Sequence, residues 1–423
     1  MIVFLMTFLV LLLIGAPISI AIGAGATAGC IALGYPLQIV GQKMVTGVDS
    51  YLLIAVPLFI FAGNLMNEGK ITTKIFDFAK NLVGWIPGGL GHANIVASII
   101  FAGMSGSAAA DAGGLGVIEM KAMRDNGYDD EFSASVTAAS SVIGPIFPPS
   151  IPLIIYGSVA SVSVAKLFMG GVLPGLLMGA TLMILVFFFA VKRGYERTPF
   201  SLKALLESFK GSILSLVTPF IILAGFTTGW ITPTEASCIA VVYSLVISAL
   251  VYRSIGIKDF IRCAKDSAVG AANTLFIIGT STLFTYVMVK EGISRDIANF
   301  ILGISSNPAV ILLIINIILL ILGMFMEPGA ILTLMLPVLV PIAQGIGLDL
   351  VHFGVIMVLN LMIGQVTPPF GVCLFIISDL AHLRLETLYK GILPFLIPLL
   401  VTLMMCTYIP GLVTWLPNAL LGV

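Results

Sequence analysis

Apolar positions run in long blocks along this chain, separated by short polar intervals, and the block lengths carry the first structural signal. Crossing the hydrocarbon of a bilayer takes about 20 apolar residues in a helix. Continuous blocks of this kind lie at 2–33, 51–67, 132–160, 167–191, 211–229, 235–252, 268–289, 353–380 and 391–418. The first contains Gly15-Ala16-Pro17, so it reads as one span or as two. Two more apolar stretches, 92–122 and 308–345, have a glycine-rich or proline-containing middle. Each is predicted to form a re-entrant hairpin that enters and leaves from one side. Ahead of each hairpin a shorter stretch has helical amphipathic spacing: Ile71, Ile75, Phe78 and Leu82 before the first, Ile293, Ile297 and Phe300 before the second. These are expected to lie along the membrane interface as arms.

Charge supports the hairpin assignment. With the N-terminus inside and both hairpins returning to their own side, 16 of the 20 Lys and Arg residues fall inside and four fall outside (Lys43, Lys166, Lys290 and Arg295). Threading the two stretches as ordinary spans swaps the segments between them and weakens this positive-inside bias.

The chain also repeats itself at an offset of 220 residues. Gly103-Met104 matches Gly323-Met324, and Gly127-Tyr128-Asp129 matches Gly347-Leu348-Asp349. Ile143-Gly144 with Pro148-Pro149 matches Ile363-Gly364 with Pro368-Pro369, and Gly171, Leu173 and Pro174 match Gly391, Leu393 and Pro394. Matches of Leu or Ile are cheap in apolar sequence, whereas Gly, Pro and Asp agreeing in one register are not. An odd number of spans separates equivalent elements, so the halves are expected to be inverted, as in many secondary transporters. The fold class expected is an all-α polytopic membrane protein: an inverted-repeat, elevator-type transporter with two re-entrant hairpins and two broken transmembrane helices. Four segments follow: 1–91 and 192–307 as scaffold with arm helices, 92–191 and 308–423 each as hairpin, broken helix and following span.

Composition agrees. Hydrophobic residues make up 59% and charged residues 9%, too little charge to cover a soluble surface. Net charge is zero and no basic cluster suggests nucleic acid. The five cysteines, without a CxxC, read as buried packing residues, and the three histidines fall near span ends, where interfacial solvation suffices. Gly25 and Gly29 form a GxxxG expected to make a helix contact.

Candidate chemistry concentrates where the helices should break. Successive prolines at 148–149 and 368–369 remove backbone donors and end a helix. Carbonyls freed in hydrocarbon need a partner, so the mirrored breaks suggest that loosened carbonyls hold a cation while half-helix N-termini hold an anion. The hairpin tips add Ser105, Ser107 and Asp111 in the first half and Gly323 with Glu327 in the second; Asp111 and Glu327 are the acids placed deepest. An enzyme reading competes at one point. Gly103-Met104-Ser105-Gly106 spells the GxSG of rhomboid intramembrane proteases, which requires a histidine base reaching the serine and leaves the repeat unexplained. A passive channel wants a continuous polar lining, which these spans lack.

At Pro87-Gly88-Gly89-Leu90-Gly91, Ser105-Gly106-Ser107 with Asp111, residues 142–150 and Gly364-Gln365-Val366-Thr367-Pro368-Pro369, the sequence resembles the large membrane subunit of TRAP (tripartite ATP-independent periplasmic) transporters, over essentially the whole chain. That resemblance implies a multi-pass subunit of the bacterial inner membrane, working with a small four-helix membrane subunit and a periplasmic substrate-binding protein. No binding domain or preceding four-span segment is evident, so both partners are expected as separate polypeptides. It further implies sodium-coupled uptake of an organic acid, of sialic acid or C4-dicarboxylate type, by an elevator motion. Residues 92–160 and 308–380 would move against 1–67 and 211–289. On this reading Ser105, Ser107, Gly144 and Pro148 hold one sodium ion and Gly323, Gly364, Thr367 and Pro368 its mirror image, with Ser150, Gln365, Glu327 and Asp111 toward the substrate. A standalone sodium-coupled carboxylate carrier is the alternative within the transporter class.

Overall fold

The computed structural model describes residues 2–195 and 197–422, and every regular element among them is helical. Helices α1 (Ile2–Leu13), α2 (Ile18–Ala32), α3 (Gln38–Val48) and α4 (Ala55–Glu68) open the chain. The first repeat comprises α5 (Ile71–Val83), α6 (Gly89–Ser105), α7 (Ala108–Ala110), α8 (Gly116–Asp125), α9 (Asp130–Ser141), α10 (Ile151–Ala160) and α11 (Val164–Arg193), with a π-turn over Asp111–Leu115 joining α7 to α8. Then come α12 (Leu202–Thr228), α13 (Pro233–Val246) and α14 (Ile257–Lys290). The second repeat follows as α15 (Ile293–Ile304), α16 (Pro308–Phe325), α17 (Pro328–Gly345), α18 (Leu350–Gly364), α19 (Val372–Ala381), α20 (Leu385–Tyr408) and α21 (Gly411–Leu421). Among the described residues eight helices are long and apolar enough to cross a membrane.

The block at 2–33 is two helices, not one. Gly15 takes a positive φ of 87° and Pro17 supplies no amide donor, so α1 ends and α2 starts anew. The two fold back antiparallel, with Gly25 facing Phe8 and Gly29 facing Phe4, which is the helix contact expected of the GxxxG. No Lys or Arg precedes Lys43, so the charge count is kept only with the N-terminus outside, on the side of Lys43, and not inside as the one-span reading had it. The last block likewise divides at Ile409-Pro410 into α20 and α21.

Both hairpins form. Asn94 of α6 bonds to Thr137 of α9, while further along Gly106 O accepts from Ile151 N, so α6 and the broken helix run parallel. In the second half Asn316 meets Asn360 and Gly323 meets Gly364, giving α16 and α18 the same relation. Short turns then require α8 and α17 to run back, which makes each hairpin. The halves are inverted: Tyr156 near the end of α10 donates to Leu350 O at the start of α18 (2.8 Å). Reciprocally, Arg124, paired with Asp130 at the start of α9, donates to Ala381 O at the end of α19 (3.3 Å).

On the second arm α15 buries Ser294, Ala298 and Ile301 and leaves Phe300 exposed. Two details depart from the pattern-based reading. Cys238 is exposed, unlike the other four cysteines. His92 and His352 are buried, not solvated at an interface, because each ring Nε2 finds a backbone carbonyl, Pro87 O (3.1 Å) and Cys406 O (2.8 Å).

Candidate functional site

The two broken helices form the centre of the molecule. Ten of twelve residues in α9 and thirteen of fifteen in α18 are buried, so neither has a lipid-facing side. In a continuous helix the amides of residues 145, 148, 149 and 152 would serve the carbonyls four residues earlier; proline at each removes them. Ser141 O is taken up by Gly144 N (3.3 Å) and Pro145 O by the Ser150 hydroxyl. Gly144 O and Pro148 O lose their helical donors in the same way. Ser150 then accepts from Leu153 N (3.2 Å) and so starts α10. In the second half Thr367 N bonds to Gly364 O (3.0 Å) and the Thr367 hydroxyl turns back to Ile363 O (2.7 Å). Cys373 N takes Gln365 O (3.1 Å). The Pro148-Pro149 and Pro368-Pro369 bonds are both cis.

Each hairpin tip rests on its own break. Gly106 has φ +59° and lies against the Pro149 carbonyl, an approach any side chain would block. The Ser107 backbone faces Gly144, and the Ser107 hydroxyl caps Ala110 N (3.4 Å). Ser105 is buried, and its hydroxyl has no hydrogen-bond partner. A histidine therefore does not reach it, and the Ser–His pairing of a rhomboid-like site is not formed. At the other tip a Cβ on Gly364 would sit 2.6 Å from the Gly323 carbonyl carbon, so only glycine fits, and Gly371 N bonds to Met324 O (3.2 Å).

Between the tips lies a cavity of about 300 Å³. Ser107 and the start of α7 line it from the first hairpin, and Glu327, Pro328 and Gly329 from the second. Pro145, Ile151 and Pro152 come from the first break, and Met362, Gln365 and Val372 from the second. Ile60 of α4 and Thr274 of α14 close it from the scaffold. Two features set its electrostatics. Four helix starts, those of α7, α10, α17 and α19, present their N-terminal residues to the cavity, where helix dipoles favour negative charge. Glu327 is the one ionisable residue among the described lining, which includes no Lys, Arg or His.

Of the sites named from sequence, Ser107, Gln365 and Glu327 line the cavity. Gly144, Gly323, Gly364, Thr367, Pro148, Pro368 and Ser150 belong to the breaks and tips around it, and Ser105 is buried beside Gly63 of α4. Asp111 is placed elsewhere, inside the first hairpin near Ser98. Sequence reasoning did not single out Ile60 or Thr274, which carry no signal of their own. Two buried asparagine ties were also missed. Asn94 donates to Thr137 Oγ1 (2.8 Å) and accepts from Ser140 (2.6 Å); Asn360 donates to Asn316 Oδ1 (2.8 Å), and Asn316 Nδ2 donates to Thr407 Oγ1 (3.1 Å). Polar residues in the equivalent apolar helices of both halves, 46 and 44 residues apart, were the available clue.

The sequence profile of the family described as "Tripartite ATP-independent periplasmic transporter, DctM component" matches residues 5–412. A sialic acid TRAP transporter large permease protein, SiaM, of Vibrio cholerae is 44% identical over 91% of this chain and 91% of its own length. A C4-dicarboxylate TRAP transporter large permease protein, DctM, of Pseudomonas aeruginosa is 37% identical over 89% of this chain and 88% of its own. The crystal structure of the YdaH transporter of Alcanivorax borkumensis superposes with a TM-score of 0.67 at 12% identity, covering 90% of each chain, which is a likeness of fold. A family profile running through both hairpins and both breaks, and relatives aligned nearly end to end, place this multi-pass chain in the DctM family of tripartite ATP-independent periplasmic transporter components.

Proposed function

We propose that the chain is the translocating subunit of a sodium-coupled importer for an organic acid, of sialic acid or C4-dicarboxylate type, in the bacterial inner membrane. The observation that carries this reading is the central cavity, where four helix N-termini meet and no basic side chain stands among the described lining residues. A carboxylate there is met by oriented backbone dipoles and by co-bound cations, which would also offset the Glu327 side chain when it is ionised. Sodium is cargo here. Ser105 Oγ, a buried oxygen without a partner, and the carbonyls of Gly144 and Pro148, deprived of helical donors, suit a small hard cation; Gly323, Gly364, Thr367 and Pro368 form the corresponding set. Because ion and substrate would share one small volume, each raises the affinity for the other by the same factor.

Movement would carry the hairpins and broken helices past the scaffold. Among the described residues hydrogen bonds across that boundary are few: Ser50 to Ser158 (3.0 Å), Asn67 to Ala110 O (3.5 Å) and Thr285 to Thr333 O (3.1 Å). Two apolar clefts, one between Phe8, Phe284 and Leu322 and one between Ile99, Phe147 and Phe220, leave much of it smooth. A periplasmic binding protein and a small four-helix membrane subunit complete the system.

The test is reconstitution of the chain with its genomically adjacent membrane and binding proteins, followed by uptake of labelled organic acids with and without a sodium gradient. Uptake requiring both sodium and the binding protein is expected. Robust uptake by the chain alone would make it a standalone sodium–carboxylate carrier, and sodium-independent uptake would remove the coupling.

A further inference from the structure

The first hairpin holds two carboxyl groups that the transport reading leaves without a task. Asp111 opens the π-turn and Glu119 follows eight residues later in α8; each is 1% exposed. In a regular α-helix eight residues overshoot two turns by about 0.8 of a residue, a rotation of about 80°. The wider i→i+5 turn takes up that excess. Buried positions accordingly fall at 111, 112, 115, 116, 119 and 120, so both acids share one buried face.

Neither acid forms an ion pair among the described residues. Asp111 Oδ2 and both carboxyl oxygens of Glu119 lack hydrogen-bond partners. Ser98 of α6, itself 1% exposed, turns its hydroxyl toward Asp111 too loosely for a hydrogen bond, and that hydroxyl is also without a partner. Asn67 of α4 reaches the same turn through Ala110 O (3.5 Å), leaving its Oδ1 unpartnered.

The elements packed on this face bring no compensating cation. On α6, His92 is bonded to Pro87 O. The Lys74, Asp77 and Lys80 side chains of α5 line a separate cleft with Glu207. Asp130 of α9 is exposed and paired with Arg124, Glu131 beside it is half-buried, and Asp379 of α19 is exposed. One further titratable group, Cys373, is buried on α19, which packs against the π-turn, and its thiol reaches Gln365 Oε1 of the central cavity (3.6 Å).

Two buried carboxylates on one face, without a counter-charge, are far too costly to keep ionised. We propose that Asp111 and Glu119 form a proton-binding site, separate from the central cavity, in which at least one of the two carboxyl groups is held as the neutral acid. A proton needs only one oxygen at a time. The inference does not rest on the transport reading.

Infrared spectroscopy of the purified full chain in a detergent without ester or carboxyl groups, at neutral pH, tests it, since a neutral carboxyl group has a C=O stretch that carboxylates and amides lack. The wild type should show this band, with the small downshift of an exchangeable acid in deuterated buffer. Asp111→Asn/Glu119→Gln should lose it, and Glu327→Gln should keep it. Should the double variant fail to fold, Asp111→Asn and Glu119→Gln are compared singly, and at least one must reduce the band. Absence of the band from the wild type, or its persistence unchanged in the folded variants, overturns the proposal. Sodium-dependent heat stability that disappears in the variants, with no neutral-acid band, would make the site a sodium site and overturn it equally. None of these readings depends on uptake, so failure here leaves the assignment of transport standing.

Discussion

The two hairpins have the same order of elements but opposite surroundings. In α6, 14 of 17 residues are buried, enclosed by α4, α5, α9, α11 and α12; in α16, six of 18 are buried, along the stripe that faces α18. The first hairpin accordingly carries polar groups inside it, Ser98, Ser105, Asp111 and Glu119, which a lipid-facing helix could not hold. The second is apolar and confines its acid, Glu327, to the cavity. What survives in both is contact between tip and break and an asparagine tie. Those shared parts are what a two-sided site requires, whereas the differing parts reflect position in the molecule.

The largest effect should come from the tips. Gly144 and Gly364 correspond at the repeat offset, yet a Cβ at Gly364 meets Gly323 backbone at 2.6 Å, while one at Gly144 meets nothing nearer than Ser141 O at 3.3 Å. Overpacking costs about 1–3 kcal/mol, which at the site corresponds to about 10–100-fold in rate. Gly364→Ala should therefore cut uptake by about that factor, and Gly144→Ala far less. Equal loss in both would mean that the glycines matter for something other than space.

The asparagine ties should respond alike despite their surroundings. Ser140→Ala removes a donor from Asn94 Oδ1, and Asn360→Leu removes one from Asn316 Oδ1; all four residues are buried. A buried polar atom left unpaired costs about 1–3 kcal/mol, so both variants should lower the unfolding temperature by similar amounts. A drop confined to the first half would show that the second tie is idle.

Which features could be read from sequence follows from which leave a residue-type signature. Proline pairs break helices wherever they stand, so both breaks were legible, and glycine-rich tips with the lysine and arginine distribution gave both hairpins. The register of Gly, Pro and Asp gave the repeat. Glu119 was not legible as an interior acid, because beside Lys121 and Arg124 it reads as a loop charge until the π-turn rotates it inward. His352 was misplaced because its carbonyl partner, Cys406 O, comes from distant backbone, and His92 because the turn before α6 folds Pro87 O onto its ring. Ile60 and Thr274 join the cavity through packing of the scaffold against the repeats, which no local pattern encodes.

A smaller effect separates the two proposed cation sets. Ser105 Oγ has no protein partner, whereas Thr367 Oγ1 donates to Ile363 O (2.7 Å). Ser105→Ala should leave the unfolding temperature unchanged and raise the sodium concentration for half-maximal uptake, by about 2–10-fold if one oxygen ligand is lost. Thr367→Ala should raise it similarly while also lowering the unfolding temperature. Unaltered sodium dependence in both would take these hydroxyls out of the cation sites.

The smallest effect belongs to the loops that follow the hairpins. Asp129 accepts from Tyr195 OH (2.7 Å) and Arg193 Nη1 (2.6 Å), and the guanidinium lies over Phe132 and Phe189 at 5.5 and 5.4 Å. Its counterpart Asp349 has no such partners and instead caps α18, accepting from Val351 N (2.7 Å) and His352 N (3.0 Å). The Tyr195 hydroxyl, and after it Arg193, hold the Asp129 carboxyl below the usual carboxylate range. A carboxylate lowered in the folded state stabilises it above the unfolded value of about 3.9, and this contribution disappears as pH falls through the depressed value. Asp129 is 58% exposed and Arg193 33%, so solvent limits the contribution to at most about 1 kcal/mol. Asp129→Asn should therefore lower the unfolding temperature slightly at neutral pH, with the gap to the wild type closing under acid conditions. A gap that widens on acidification would mean that this cluster is not held by the ionised carboxylate, and the charged loop of the first half would then differ from the second in sequence but not in energetic role.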